Sequence, residues 1–392
     1  MSHIAMVGIP AVSHVRPSLE ILRELVARGH RVTYANDPSV TELVVATGAE
    51  LVPYTSTLPV ADNDWPEDPI GAMGVFLHDA IQALPQLRAV YDDAPADLYL
   101  YDIAGYPGRV LAESQRRPLM LLSPAMVAWE GYAEQVAAPL WQLPGAEEYR
   151  STFTGWLAGN GATTTDMDAF TNRPAKTIAM ITRAMQPFAD TVDPDEVTFV
   201  GPCFDPHADR DEWTRPAGAG KVLLISLGSA YTRQAEFYRQ CLAAFGDLPG
   251  WHVVLQIGKY TDPAELGTVP GNVEVHSWVP QRAILAQADA FVTHAGMGGC
   301  GEGLLAGVPM IAVPQAVDQF MNADRLVELG VARRLDTEDA TAQALRTALL
   351  ELVGDERVAT RSAALRADAV AEGGTTRAAD LIEATLSATS TV

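Results

Sequence analysis

The repeated alternation of short apolar runs with amphipathic stretches is the feature that most constrains the fold of this chain. HIAMVGI (3–9) is typical of a buried strand, and residues 17–30 are typical of a helix with Pro17 in its first turn. The alternation restarts at KVLLISLGS (221–229) and continues to about residue 370. Strands that alternate with helices favour parallel sheets, so the sequence predicts an α/β protein made of two doubly wound domains.

A segment rich in Pro, Asp and Gly, residues 204–220, separates the two halves and indicates an interdomain linker. The predicted division is a Rossmann-like N-terminal domain over 1–207, a linker over 208–220, a Rossmann-like C-terminal domain over 221–375, and a C-terminal helix and tail over 376–392. In such folds, ligands bind at the carboxyl ends of the strands.

Charge and cysteine usage exclude several classes of protein. A formal net charge of −22 argues against nucleic acid and anionic membrane as partners, because both are bound through surplus Lys and Arg. The absence of a signal peptide or an apolar run long enough to span a bilayer predicts a cytoplasmic protein. Three scattered cysteines, Cys203, Cys241 and Cys300, predict thiols rather than disulfides or a zinc site.

FVTHAGMGGCGEG (291–303) leads from a strand through His294 and a glycine-rich turn to a helix. Free backbone N–H groups at a helix start, together with the helix dipole, favour an anion, so the stretch indicates a phosphate site. The alternative is a tight turn whose glycines only bring the helix close to the sheet.

Polar and aromatic residues at neighbouring strand ends fit the rest of a nucleotide sugar. The indole of Trp278 could stack on a base, and Glu302 could accept hydrogen bonds from ribose hydroxyls. Asp318 and Gln319 could hold the hydroxyls of a sugar. Each of these residues also has a structural interpretation. Trp278 could be a core residue, and Glu302 could be a solvated helix residue. Asp318 could cap a helix, with Gln319 as its neighbour.

Residues 278–319 resemble the nucleotide-sugar signature of the family 1 glycosyltransferases of the GT-B fold, and the whole chain is similar to their bacterial macrolide subgroup. The resemblance implies two Rossmann-like domains facing across a cleft, with the C-terminal helix crossing back to the N-terminal domain. It implies the following donor contacts: Trp278 on uracil, the Val279 backbone and Gln281 near the base and ribose, Ser229, His294, Gly296, Gly298, Gly299 and Cys300 at the diphosphate, Glu302 at the ribose, and Asp318 with Gln319 at glucose.

The first half offers a base and its partner. His14 follows the first strand, where a histidine could take a proton from an acceptor hydroxyl, and Asp102 ends a later strand, where a carboxylate could fix the imidazole tautomer. The resemblance assigns both these roles. Relatives often carry HGH where this chain has Val12, Ser13 and His14, and Ser or Thr where it has Cys300, so the acceptor side and the diphosphate turn depart from the family pattern.

The resemblance implies an inverting, metal-independent transfer of glucose from UDP-glucose to a macrolide or another bulky hydrophobic natural product, serving antibiotic inactivation. We expect no cofactor, and we expect the protein to be a monomer or a homodimer. The predicted acceptor residues are Phe76, Met126, Trp129 and Tyr132, from the aromatic-rich stretches of the first half, although each could equally pack in a core.

Two other functions stay open. The chain could transfer a deoxysugar from a TDP donor during biosynthesis, or it could be a non-catalytic protein that binds sugar nucleotides. A nucleotide-sugar epimerase of the same fold is disfavoured by the hydrophobic acceptor half.

Overall fold

The structure is a computed structural model that describes residues 1–62, 64–172, 176–204 and 212–389. Described residues up to 204 and from 372 onward form a first compact unit, and residues 212–371 form a second. Of the predicted linker 208–220, residues 208–211 lie outside the described residues, as do residues 390–392 of the predicted tail.

The first unit is built on a parallel sheet of seven strands. The strands are β1 (His3–Val7), β2 (Arg31–Asn36), β3 (Glu50–Pro53), β4 (Leu98–Asp102), β5 (Leu119–Ser123), β6 (Thr177–Ala179) and β7 (Val197–Phe199). Their order in the sheet is β3-β2-β1-β4-β5-β6-β7, and every neighbouring pair is parallel. The order reverses at β1, so the strands β1 and β4 flank the point at which such sheets bind ligands.

Helices cover both faces of this sheet, and its central strands accordingly bury side chains in both directions. Ala5 and Val7 of β1 belong to one core cluster, whereas Ile4 and Met6 belong to another. The helices are α1 (Val12–Ala27), α2 (Thr41–Val45), α3 (Pro69–Tyr91), α4 (Tyr106–Gln115), α5 (Ala138–Leu140), α6 (Ala146–Gly159) and α7 (Met167–Asn172).

The start of α1 differs from the sequence prediction. The helix was expected to begin at Pro17, but it begins at Val12 and contains Pro17. Pro17 is the sixth residue of this helix, so it removes the hydrogen bond that an N–H would make to the Ser13 carbonyl, and its ring crowds that carbonyl. His14 consequently lies in the first turn of a helix rather than in a loop.

The second unit repeats the architecture with six parallel strands. These are β8 (Lys221–Ser226), β9 (Trp251–Gln256), β10 (Val273–His276), β11 (Ala290–Thr293), β12 (Met310–Ala312) and β13 (Ala332–Arg334), in the order β10-β9-β8-β11-β12-β13. The helices are α8 (Ala235–Phe245), α9 (Gln281–Leu285), α10 (Met297–Ala306), α11 (Gln319–Glu328), α12 (Ala342–Gly354) and α13 (Glu356–Ala371). The predicted pair of doubly wound parallel sheets is therefore confirmed.

The last helix, α14 (Gly374–Thr389), returns to the first unit and packs against α1. The buried Ile382 shares a core cluster with Leu22 and Leu25 of α1. Arg28, just beyond α1, pairs with Asp380 at 2.7 Å and with Glu383 at 2.6 Å. The expected return of the C-terminal helix to the N-terminal domain is confirmed.

We expect Ile382→Ala to lower the unfolding free energy of the first unit by about 2–5 kcal/mol, because it leaves a cavity under α14. Urea unfolding of the full chain, followed by fluorescence, measures this loss. Leu350→Ala, at an exposed aliphatic position of α12, is the matched control and should change the free energy by no more than about 0.5 kcal/mol. Equal effects of the two substitutions would contradict the packing of α14 described above.

Candidate active site

The first group of predicted site residues lies where β1 and β4 end side by side. Val7, the last residue of β1, is in register with Tyr101 of β4, and Asp102 ends β4. α1 starts shortly after β1 and carries His14 in its first turn. Two residues that are 88 positions apart in sequence are thus brought to one edge of the sheet.

His14 and Asp102 are hydrogen-bonded to each other. Nδ1 of His14 lies 2.9 Å from Oδ1 and 3.1 Å from Oδ2 of Asp102. The carboxylate is buried, with only 1% of its side-chain surface exposed, whereas the imidazole is 23% exposed. Asp102 Oδ1 also accepts a hydrogen bond from the Ala104 N–H at 2.9 Å, which fixes the carboxylate. In the tautomer that carries its proton on Nδ1, the imidazole donates this proton to the Asp102 carboxylate, and Nε2 is the basic nitrogen.

Two buried side chains that the sequence analysis missed hold the backbone between β1 and α1. The hydroxyl of Tyr54 donates to the carbonyl of Gly8 at 2.8 Å, and Nδ2 of Asn36 donates to the carbonyl of Ile9 at 3.1 Å. Asn36 ends β2 and Tyr54 follows β3, and these positions in the sequence give no sign of the two partners, because the contacts depend on which strands become neighbours.

The predicted acceptor residues fall into separate aromatic groups at the same edge of the sheet. Phe76 stacks on Trp65 with ring centroids 5.5 Å apart, and both pack against a small apolar cluster that includes Ile9 and Ala104. These last two residues follow β1 and β4, so the group borders the segments that carry His14 and Asp102.

The second group forms beyond β5 and β6. The ring of Trp129 contacts the ring of Tyr132 edge-on, with the ring centroids 5.0 Å apart, and its centroid lies 5.7 Å from that of Phe188. Phe188 was not predicted; it is 58% exposed and adopts a left-handed backbone with φ 49°, which is rare for a bulky residue. Met126, the remaining predicted residue, is partly exposed in the loop that leads to Trp129.

In the second unit, α10 starts directly after the glycine-rich turn that follows β11. Gly296 caps the helix, and Gly298 and Gly299 lie in its first turn. The first N–H groups of a helix have no acceptor within the helix, so they can face an anion. Cys300 is placed differently: its N–H bonds to the Gly296 carbonyl at 3.0 Å and its thiol is buried. Burial raises the pKa of this thiol, so the sulfur stays protonated.

His294 lies against two glycines, one from each of two neighbouring strand ends. A Cβ at Gly228, in the turn after β8, would lie 2.7 Å from the ring, and a Cβ at Gly296 would lie 2.5 Å from it. Neither position has room for a side chain while the imidazole is in place. Burial lowers the pKa of His294 to about 4, and an interaction with the Ser226 backbone opposes this shift only partly. The ring is therefore neutral near pH 7. Ser229, next to Gly228, is exposed.

Two of the residues predicted to contact the base, Trp278 and Val279, lie in the loop after β10. The indole of Trp278 is 58% exposed, so it is not a core residue. The next residue, Val279, donates its N–H to Oε1 of Gln256 at 3.1 Å, and Nε2 of the same amide donates to the Gly228 carbonyl at 3.0 Å. Gln256, which the sequence analysis missed, thus ties the base loop to the turn beside His294.

Gln281 and Glu302, predicted to lie near the ribose, contact each other. Nε2 of Gln281 donates to a carboxylate oxygen of Glu302 at 2.5 Å, and both side chains are partly exposed. The structure therefore brings together an amide and a carboxylate from two successive helices, α9 and α10, which is a pair suited to sugar hydroxyls.

Asp318 and Gln319, predicted to hold the sugar, lie at the start of α11 with different surroundings. Asp318 is exposed, and its carboxylate accepts a hydrogen bond from Nδ2 of Asn322 at 2.8 Å. Gln319 is buried, and its Oε1 accepts the N–H groups of Gln315 at 2.8 Å and Ala316 at 3.1 Å. The oxygen of Gln319 therefore supports the turn that presents Asp318.

The described ranges contain no candidate metal centre and no membrane-spanning helix. No group of three or more His, Cys, Asp or Glu side chains there is arranged to hold a metal ion. None of the helices in the same part of the chain combines the length and apolarity that crossing a bilayer requires. The Asp-X-Asp stretch at 193–195, a pattern that can bind a metal ion, forms a turn in which Asp193 Oδ1 accepts the Asp195 N–H at 2.9 Å. In the similar stretch at 62–64, Asn63 lies outside the described residues.

Comparison with known proteins identifies the family. Over 99% of this chain and 91% of the relative, the sequence is 56% identical to an oleandomycin glycosyltransferase from Streptomyces antibioticus. It is 35% identical to an NDP-glycosyltransferase from Bacillus licheniformis, over 98% of both chains. The chain belongs to the family 1 glycosyltransferases of the GT-B fold. The family described as erythromycin biosynthesis protein CIII-like, C-terminal domain, matches residues 239–384 of this glycosyltransferase.

Solved structures agree with this assignment of the glycosyltransferase. The crystal structure of the glycotransferase of kitacinnamycin superposes with a TM-score of 0.92 at 51% identity, over 98% of this chain and 99% of that one. The calicheamicin glycosyltransferase CalG4 superposes with a TM-score of 0.87 at 34% identity, over 99% of each chain. Membership of the family is thus supported by sequence and by fold over nearly the whole length.

The stability of this glycosyltransferase should fall in acid because of His294. The folded pKa of about 4 lies below the value of about 6.5 expected for an unfolded histidine, so the unfolded chain binds more protons between these values. The unfolding free energy should therefore decrease as the pH falls from about 6.5 to about 4.

Urea unfolding at a series of pH values, on the wild type and on His294→Asn, measures this contribution. The variant should show a shallower acid slope, because it lacks the imidazole. His276→Asn is the matched control from the same unit; it keeps His294 and should keep the slope. An acid slope that is the same in all three proteins would show that His294 does not titrate as described.

Proposed function

We propose that this glycosyltransferase moves glucose from UDP-glucose to a hydroxyl of a macrolide or another bulky hydrophobic natural product, with inversion at the anomeric carbon. The observation that carries the proposal is the contact of His14 with the buried carboxylate of Asp102 at a ligand-binding edge of a parallel sheet. An imidazole held by a buried carboxylate is suited to general base catalysis. The names of the similar proteins support the substrate classes.

The proposed reaction is a single displacement. Nε2 of His14 takes the proton of the acceptor hydroxyl while the oxygen forms a bond to the anomeric carbon of glucose. The bond from that carbon to the phosphate oxygen breaks, and UDP leaves with the electron pair. Asp102 stabilises the imidazolium that forms, since it is a buried carboxylate 2.9 Å from Nδ1. The proton then passes from His14 to solvent.

Donor binding is assigned to the second unit. The start of α10 and the neutral His294, with the exposed Ser229, offer hydrogen-bond donors to the diphosphate, and these donors also stabilise the charge that develops as UDP leaves. Trp278, whose indole is exposed, would stack on the uracil. We expect no metal to be required, because these donors would take the role that a divalent cation plays at a diphosphate.

Glu302 supports UDP rather than TDP as the nucleotide. A carboxylate can accept hydrogen bonds from both hydroxyls of a ribose, whereas the deoxyribose of TDP offers only the 3′-hydroxyl. Gln281, in contact with Glu302, would add a donor to the same sugar. Transfer from a TDP-deoxysugar is the second candidate, and this pair of residues disfavours it.

The acceptor is assigned to the first unit. The partly exposed Trp65 and Phe76 offer a flat apolar surface, and the exposed Phe188, which packs against the buried Trp129, offers another. Such surfaces suit a large, rigid aglycone better than a small polar acceptor. If the aglycone is an antibiotic, glucosylation of its hydroxyl would inactivate it, which is the physiological role we propose. A mass-spectrometric screen of macrolides and phenols with UDP-glucose tests the acceptor class.

His14→Ala should reduce glucosyl transfer by about a hundredfold or more, because it removes the general base. UDP affinity, measured by calorimetry, should stay unchanged, since UDP binds to the second unit. His78→Ala, at an exposed position of α3, is the matched control and should keep wild-type turnover. Unchanged turnover in His14→Ala would contradict the assignment of His14 as the base, whereas a wild type that binds UDP-glucose without transferring glucose would favour a protein that only binds sugar nucleotides.

Glu302→Ala should weaken UDP-glucose more than TDP-glucose, because only the ribose loses a hydrogen bond from its 2′-hydroxyl. We expect the preference for UDP-glucose over TDP-glucose, measured as the ratio of kcat/KM values, to fall by about tenfold. Glu328→Ala, at the exposed end of α11, provides the control and should keep the wild-type ratio. A wild-type enzyme that prefers TDP-sugars would instead favour the biosynthetic candidate.

A further inference from the structure

Asn322, in the second turn of α11, connects two loops that carry predicted donor contacts. Its side chain is fully buried. Nδ2 donates one hydrogen bond to Oδ2 of Asp318 at 2.8 Å and another to the carbonyl of Ala295 at 2.9 Å. An amide nitrogen has two hydrogens, so both are used by these two acceptors.

The two acceptors belong to neighbouring strand ends. Ala295 follows β11 and opens the turn to α10, whereas Asp318 follows β12, which pairs with β11 in the sheet. Both loops contain a residue in the left-handed conformation that side chains disfavour: Ala295 with φ 60° and Val317 with φ 46°. Such residues persist only where the surrounding structure holds them, and the amide of Asn322 is a contact that both loops share.

The backbone hydrogen bonds of α11 do not require an asparagine at position 322. The N–H of Asn322 bonds to the Asp318 carbonyl at 2.9 Å, as in any helix, and any residue could make that bond. The side chain adds a second link to the same aspartate, at its carboxylate. A carboxylate that accepts a hydrogen bond from a buried, immobile donor has fewer orientations than one in solvent.

We propose that Asn322 is a positioning residue for the sugar donor: it fixes the carboxylate of Asp318 relative to the turn at Ala295, so that the glucose and the diphosphate are held in one geometry. The inference rests on the proposed function, in which Asp318 binds glucose and the turn binds the diphosphate. Asn322 itself touches neither group. Its effect should therefore appear in the binding of UDP-glucose and much less in the binding of UDP.

The test compares Asn322→Ala and Asn322→Asp with a matched control, Asn272→Asp. Nδ2 of Asn272 also spans two acceptors, the carbonyls of Phe245 at 3.0 Å and Trp251 at 3.1 Å, but neither carries a predicted donor contact. All measurements use the full chain, with calorimetry for the Kd of UDP and of UDP-glucose and steady-state kinetics for KM and kcat. Thermal unfolding reports the stability of each variant.

For Asn322→Ala, we expect the Kd of UDP-glucose to rise by about tenfold or more, since a hydrogen bond to a charged group is lost, and the Kd of UDP to rise by less than about threefold. Asn322→Asp keeps the shape but places a carboxylate against Asp318, so its loss of UDP-glucose affinity should be at least as large. Asn272→Asp should lower the thermal stability without changing the ratio of the two Kd values.

A double-mutant cycle with Asp318→Ala separates positioning from a general structural role. Once the carboxylate is gone, Asn322→Ala should cause little further loss of UDP-glucose affinity, because it acts through Asp318. Equal losses for UDP and UDP-glucose, or a loss that persists in the Asp318→Ala background, would overturn the proposal. If Asn322→Ala does not fold, the isosteric Asn322→Asp tests the proposal through the same ratio of the Kd of UDP-glucose to the Kd of UDP.

The Asp318→Ala variant distinguishes an error in the role of Asn322 from an error in the proposed sugar-binding role of Asp318. If Asp318→Ala weakens UDP-glucose and the Asn322 variants do not, only the positioning role is wrong. If Asp318→Ala leaves the Kd of UDP-glucose unchanged, the assignment of Asp318 to the sugar is wrong, and the role of Asn322 falls with it.

Discussion

Parallel pairing of the strands is the constraint on which both candidate sites depend. Because all strands of each sheet run in one direction, their carboxyl ends meet at one edge, and the residues that follow them become neighbours. His14 and Asp102 meet in this way beyond β1 and β4, and His294 meets Gly228 beyond β11 and β8. An antiparallel pairing of the same strands would send these residues to opposite ends of the sheet.

The anion site that we propose in the second unit needs no surplus positive charge. The chain carries a formal net charge of −22, and the side chain of His294, which lies against Gly228 and Gly296, is neutral near pH 7 because burial lowers its pKa to about 4. Hydrogen-bond donors and the dipole of α10 can attract a diphosphate locally while the rest of the surface stays acidic. The same arrangement suits the departure of a nucleoside diphosphate, because fixed dipoles need little reorganisation as charge develops.

Buried amides and a hydroxyl hold these site loops in place, and the sequence analysis identified none of them. Asn36 and Tyr54 hold the backbone that leads to His14, and Gln256 joins the base loop to the turn after β8. Asn322 joins Ala295 to Asp318. In the sequence these residues look like ordinary polar residues at strand ends or in helices, because their partners are backbone groups brought near only by folding.

The sequence by itself determined the fold class, since the alternation of apolar runs and helices left few arrangements other than parallel sheets, and its motifs identified the family. The segments that form β3 and β13 are short and only partly apolar, so they lack the pattern of a buried strand, and α1 begins at Val12 rather than at the predicted Pro17. Only the tertiary structure decided that His14 contacts Asp102, that Gln281 contacts Glu302, and that the Cys300 thiol is buried. The reason is physical: periodicity records which face of an element is buried, whereas a contact between distant residues depends on the order and register of the strands between them.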